Sequence, residues 1–299
     1  MNRLISWMIL LTFTGSFMAN CQENKKLIAP GAQMERLAGG FSFTEGPAVD
    51  GAGNVYFTDQ PDDRILKWSV DDRLSTFATG MGRANGLYFD RTGNLLSCSD
   101  LDNEIWQIDM NGNHSVLVSA FGEKKLNGPN DLWPRPDGGL YFTDPLYPRE
   151  YWTRTPGMQQ PGEYVYYLSP DRRRLITVAD DLEKPNGIIG TPDGKQLYVA
   201  DIKANKTYVF DIQPDGTLTG KKLFAPLGSD GMTIDRDGNI YLTGRGVTVF
   251  NPDGVQIEHI PVEAGWTANV CFGGSDMKSL FITASQYLYR LRMNVEGVR

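Results

Sequence analysis

The 299-residue chain contains only three cysteines and two histidines. That poverty excludes a disulfide-stapled scaffold and leaves a Cys/His metal site almost nothing to draw on. Cys98 and Cys271 fall in strand-like stretches of different repeats and are expected as separate buried thiols. Positive charge is scarce as well: 29 Lys and Arg against 36 Asp and Glu leave a formal charge of −7, with a pI near 5.0. The one basic run, "DRRR" at 171–174, reads as a solvated hairpin, so a nucleic-acid-binding face is excluded. Long apolar runs are missing except at the start. "MNRLISWMILLTFTGSFMANC" carries Arg3, an apolar run from Leu4 to Phe17 and no acid. It is too short for a stable transmembrane helix and reads as a secretory signal. Small residues before Cys21 make it the expected lipidation site of a bacterial lipoprotein. The expectation is an exported chain, periplasmic or in the cell envelope, meeting the membrane only through a lipid anchor. Residues 1–21 are then the leader, 22–31 a polar tether and 32–299 the folded domain.

Glycine (33) and proline (17) are plentiful and aromatics reach 11%, which suits an all-β chain with many turns. One pattern recurs six times. Glu45 in "TEGPAVDGAGNVYFTD", Asn85 in "ANGLYFDRTGNLLSCSD", Asn130 in "NGPNDLWPRPDGGLYFTDP", Asn186 in "PNGIIGTPDGKQLYVAD", Asp230 in "SDGMTIDRDGNIYLTG" and Asn269 in "ANVCFGGSDMKSLFITAS" each precede a turn position by a constant interval. Those positions are Gly53, Gly93, Gly138, Gly194 and Gly238, with Met277 in the last copy. Successive polar residues are spaced by 40, 45, 56, 44 and 39. A period of about 40–45 residues built from short strands and Gly/Asp turns predicts propeller blades. The expected fold is a six-bladed β-propeller of four-stranded antiparallel blades. "AQMERLAGG" has no blade of its own and the last repeat lacks a fourth strand, so the N-terminal strand is expected to close the ring.

If each polar residue opens an innermost strand, six side chains converge at one end of the channel: one Glu, one Asp and four Asn. A donor set of oxygens without His or Cys suits a hard cation, Ca²⁺ first, then Mg²⁺ or Mn²⁺, with Zn²⁺ last. One such ion per chain is expected at the channel mouth. His114 and His259 lie in expected outer segments, a turn and a strand, and are read as structural, which argues against a histidine-dyad mechanism.

The segments "TEGPAVD", "GPNDL…GGLYFTDPLY", "KPNGI…TPDGKQLYVAD" and "SDGMTIDRDGNIYLTG" resemble the senescence-marker-protein/gluconolactonase (regucalcin-like) family, in particular its bacterial gluconolactonase branch, over about residues 32–292. The resemblance implies one divalent cation at the channel mouth and hydrolysis of small sugar lactones. It places Glu45, Asn130, Asn186 and Asp230 at the family's metal positions, with the counterpart of Asn130 touching substrate in some members. The vertebrate branch has an arginine two residues before that asparagine, where this chain has Gly128, so substrate contacts do not carry over wholesale.

Lactone hydrolysis needs an electrophile on the carbonyl oxygen and an activated water. Asp230 is the expected base or nucleophile, taken here as general base, and Glu45 a metal ligand. The long interval between Asn130 and Asn186 holds an insertion, "PLYPREYWTRTPGMQQPGEY", whose Tyr147, Tyr151, Trp152 and Arg154 are expected to wall the site. Asn85, Asn130, Arg83, Tyr147 and Trp152 are the expected substrate contacts, with Trp266 and Thr267 beside the ring as further pocket residues. Two other functions fit the same residues: phosphotriester hydrolysis at the same metal, and a non-catalytic binding propeller rigidified by its ion.

Overall fold

A computed structural model describes residues 26–153 and 157–298. The expected lipidation site Cys21, the leader and Arg154 lie outside the described residues. The described part of the expected tether is not free: Leu27 is buried, Ile28 bridges Met293, and the Ala29 N–H donates to the Arg292 carbonyl.

Six four-stranded antiparallel sheets follow one another around a central channel, as the repeat predicts. Blade 1 runs from its inner strand Thr44–Val49 through Val55–Asp59 and Arg64–Trp68 to Leu74–Thr79. The later inner strands are Ala84–Phe89, Leu132–Pro134, Pro185–Gly190, Met232–Ile234 and Thr267–Gly273. Blade 6 adds Ser279–Ala284 and Tyr287–Arg292 and takes Glu35–Gly39 as its outermost strand. The expected closure by the N-terminal strand is therefore present. It ties the two ends of the chain into one sheet and covers an edge that would otherwise template aggregation.

The turn position of each repeat is left-handed. Gly53, Gly93, Gly138, Gly194 and Gly238 have φ between 70° and 96°, and Met277 takes the same conformation at φ 54°. The backbone demands of the turn thus persist where glycine is lost. Met277 is almost fully buried, and its packing offsets the steric penalty of that region.

The core lies between blades. Trp133, Tyr141 and Tyr167 of blade 3 pack on Ile188, Leu197 and Tyr198 of blade 4, which in turn meet Met232 of blade 5. Cys98 and Cys271 are free, buried thiols in blades 2 and 6, as expected. His114 begins the outermost strand of blade 2, not a turn, and stacks on Trp106 with ring centroids 3.7 Å apart. His259 lies in the outermost strand of blade 5 and shares a 3.0 Å hydrogen bond with Thr248. Both imidazoles are remote from the channel.

Candidate active site at the channel mouth

The inner strands deliver their polar residues through irregularities in pairing. The register shifts at Glu45/Ala48, Ala84/Leu87, Pro185/Ile188 and Thr267/Asn269. In blades 3 and 5 pairing starts only at Leu132 and Met232, after Asn130 and Asp230. A bulge, or the absence of pairing, releases the side chain from strict alternation and re-aims it. The residue after the ring position is glycine in four blades because the next blade is in contact there. A Cβ on Gly46 would lie 2.1 Å from the Asn85 carbonyl oxygen, and one on Gly231 2.0 Å from the Asn269 side chain.

The repeated "FTD" and "VAD" endings build the frame. Asp59 accepts from the N–H groups of Ser42 and Phe43, Asp144 from those of Asn127 and Gly128, and Asp201 from those of Glu183 and Lys184. Each acid thereby pins the backbone three and two residues before a ring position. The Thr58 and Thr143 hydroxyls donate across the blade boundary to the Asn85 and Asn186 carbonyls, at 3.2 and 2.8 Å. These carboxylates are scaffold. Asp201→Ala would strand the N–H groups of Glu183, Lys184 and Ala204. We expect it to lower stability by about 2–5 kcal/mol, read as a lower denaturant midpoint with unchanged m-value.

Glu45 is buried, with its Oε2 accepting from the Gly46 N–H at 2.8 Å. Burial, then repulsion from Asp230, pushes its carboxyl well above the usual range, opposed by hydrogen bonds from Gly46 and Asn269. Asp230 is half-buried at the mouth. Its Oδ1 accepts from the Asn186 side-chain amide at 2.9 Å and its Oδ2 from the Trp266 indole N–H at 2.5 Å. Burial lifts its pKa to about 6, while those two donors pull it down. Asn186 also donates to the Tyr147 hydroxyl at 2.9 Å, which leaves its buried Oδ1 without a hydrogen-bond partner. The buried Oδ1 of Asn85 is likewise unpartnered. The Asn130 side chain makes no hydrogen bond among the described residues, although its backbone is held by Thr143 and Gly86.

Two mutually repelling carboxyls and two orphaned buried amide oxygens form a site short of positive charge. The residues present fit a hard divalent cation. Among the described residues no group of three or more His, Cys, Asp and Glu side chains is arranged for a metal. A cation here would need amide oxygens to complete its donor set. Asn269, the sixth ring member, plays another part: its Oδ1 accepts from the Val270 N–H, and its amide serves the carboxyls of Glu45 and Asp131.

Asp131 carried no sequence signal beyond following Asn130. It lies at the inner end of an apolar cavity of about 300 Å³ that opens toward the opposite face, among Leu87, Leu132, Ile188 and Met232. Burial pushes its carboxyl up to about 8.

The expected wall is partly in place. Tyr147 reaches Asn186, and its ring carries Lys184 at 4.4 Å. Arg83 lies over the Tyr151 ring at 4.2 Å and donates to the Pro61 carbonyl. Tyr151 and Arg149 both donate to the buried Asp100. Trp152, expected on the wall, is instead buried beneath it: its indole N–H donates to the Asp100 carbonyl at 2.8 Å, and its ring packs beside Gly128. The aromatic that does reach the Asp230 carboxylate is Trp266, expected from the sequence as a further pocket residue beside the ring.

Known proteins resemble this chain in sequence and in fold. The gluconolactonase of Zymomonas mobilis subsp. mobilis is 28% identical over 293 residues, covering 88% of this chain and 82% of its own. The solved structure of a putative gluconolactonase superposes with a TM-score of 0.85 at 32% identity, covering 92% of this chain and 96% of the other. That of a gluconolactonase from Xanthomonas campestris gives 0.83 at 30% identity, with coverages of 89% and 91%. The SMP-30/gluconolactonase/LRE-like model matches residues 43–286, from just before the first ring acid to the last blade. By its repeat, its closed six-bladed ring and this match, the chain belongs to the SMP-30/gluconolactonase/LRE-like family.

Proposed function

We propose that the chain hydrolyses a sugar-derived lactone, with Asp230 as general base and Glu45, Asn130, Asn186 and Asp230 as the holders of one divalent cation, Ca²⁺ by the chemistry of the donors. The observation that carries this reading is the Asp230 carboxylate. It is half-buried at the mouth, fixed at both oxygens by neutral donors, and beside a second acid and two unpartnered amide oxygens. The gluconolactonase names of the relatives support the substrate class.

When bound, the cation supplies Lewis acidity toward a lactone carbonyl and charge for the developing oxyanion. Asp230 takes a proton from the attacking water as the new C–O bond forms, then returns it to the ring oxygen as the ester C–O bond breaks, leaving an open hydroxy acid. Without the cation, burial lifts its pKa to about 6; the bound cation's charge would lower it and keep the carboxylate ionised at neutral pH. Asn130 and Tyr147 face the same mouth and are the polar groups available to orient hydroxyls. Arg83 and Tyr151 form an outer rim.

The test is turnover by Ca²⁺-loaded protein against parallel panels of lactones and phosphotriesters. Hydrolysis of glucono-δ-lactone is expected. Phosphotriester turnover alone would reassign the chemistry, and Ca²⁺ binding without turnover of either panel would make the propeller a binding module.

A further inference from the structure

Trp266 is the only aromatic among the large apolar side chains that stand exposed in the described residues, at 36% exposure. A partly exposed indole at the rim of a carboxylate site calls for a reason, and its backbone is not left to chance. The Trp266 N–H donates to the Ser285 hydroxyl at 3.0 Å, and that hydroxyl donates back to the Trp266 carbonyl at 3.2 Å. A Cβ built on Gly244 would meet the ring's far edge at 3.7 Å, so this glycine borders the indole without crowding it. The clamped residue then sends its indole N–H to Asp230 Oδ2.

The choice of donor matters. Asp230 forms no ion pair with Lys or Arg among the described residues. A Lys or Arg side chain in this position would repel the divalent cation that the site is proposed to hold. An indole N–H can donate but never accept, carries no charge and cannot itself titrate. It fixes the carboxylate's orientation without adding charge to the site. The rest of the indole offers an apolar face beside the reacting centre, which suits the C–H face of a saturated polyol ring.

We propose that Trp266 is the positioning residue of this site. Its N–H sets the orientation of Asp230, and its exposed ring is the platform on which a polyhydroxylated lactone ring lies. This rests on the lactonase reading above, and the hydrogen-bond half is testable without it.

The experiment compares Trp266→Phe and Trp266→Ala in the Ca²⁺-loaded full chain. The ¹H–¹⁵N spectrum is recorded for the wild type and for Asp230→Asn. The indole N–H resonance lost in Trp266→Phe should lie far downfield in the wild type and shift in Asp230→Asn. With glucono-δ-lactone as probe, Trp266→Phe keeps a ring but loses the donor, so kcat should fall about 10- to 100-fold with KM within about threefold, as for loss of a hydrogen bond to a charged group. Trp266→Ala should show the same loss in kcat and a KM raised about tenfold further. A resonance indifferent to Asp230→Asn, or wild-type kcat in Trp266→Phe, would overturn the positioning role. Equal KM in the two variants would overturn the platform. If the wild type leaves lactones intact, the lactonase reading and the platform fall together, while the spectra still decide the hydrogen bond.

Discussion

Asp230→Asn should bind Ca²⁺ with modest weakening and yet turn over about 10²–10⁴-fold more slowly, a loss that added metal does not recover. The substitution keeps an oxygen donor and nearly the same shape, and it removes the carboxylate proposed as the base. General-base assistance is worth about that factor. Asn186→Ala makes the contrast. It deletes a neutral donor whose Oδ1 has no other partner, together with one of the two hydrogen bonds that hold Asp230. Its loss of activity should be partly restored by raising the metal concentration. Steady-state kinetics under saturating Ca²⁺, with calorimetric binding constants for each variant, separate the two. Near wild-type turnover by metal-saturated Asp230→Asn would reduce Asp230 to a ligand.

Chelation should abolish activity and destabilise the fold, with a pH dependence that identifies the groups responsible. A ligand present at a hundredfold excess over its dissociation constant contributes roughly 2.7 kcal/mol, or roughly 5–10 °C of melting temperature for a chain of this size. Without metal, Glu45 is held above its ordinary range, and Asp230 and Asp131 at about 6 and 8. An acid whose folded-state pKa exceeds its unfolded value binds its proton more tightly in the native state. That contribution to stability is fully present below about pH 4 and is lost as the pH rises through the folded-state values. Metal-free protein should therefore lose stability between about pH 4 and pH 8, and Ca²⁺ should restore progressively more of it across the same window. Asp131→Asn should flatten the upper part of the metal-free profile, because the amide mimics the protonated acid. Melting curves in chelator and in Ca²⁺ at successive pH values supply the measurement. A metal-free protein whose stability rises over that window would contradict the burial of these acids.

Much of this was legible without coordinates. The constant interval between polar residue and turn reflects a local requirement, a short strand leading to a left-handed residue, and each repeat states it independently. Six statements in register predict six blades and a ring of oxygens, even where Met277 replaces the glycine. Closure by Glu35–Gly39 followed from a strand without a blade and a blade without a strand.

Other features depend on segments that only ring closure brings together. Asp59, Asp144 and Asp201 end the second strands of their blades, and their carboxylates turn to the backbone N–H groups just before the ring residues. From the sequence, Trp152 and Trp266 are both expected near the pocket. One is drawn under the loop by the Asp100 carbonyl, and the other is held at the mouth by Ser285 and Asp230. Asp131 follows Asn130 as plainly as any neighbour, but its elevated pKa comes from the apolar inner strands of other blades around it. Residue type and spacing follow from the backbone of one repeat and can be read along the chain. Burial, hydrogen-bond partner and charge state depend on which repeats end up facing one another, and those were decided when the six sheets closed.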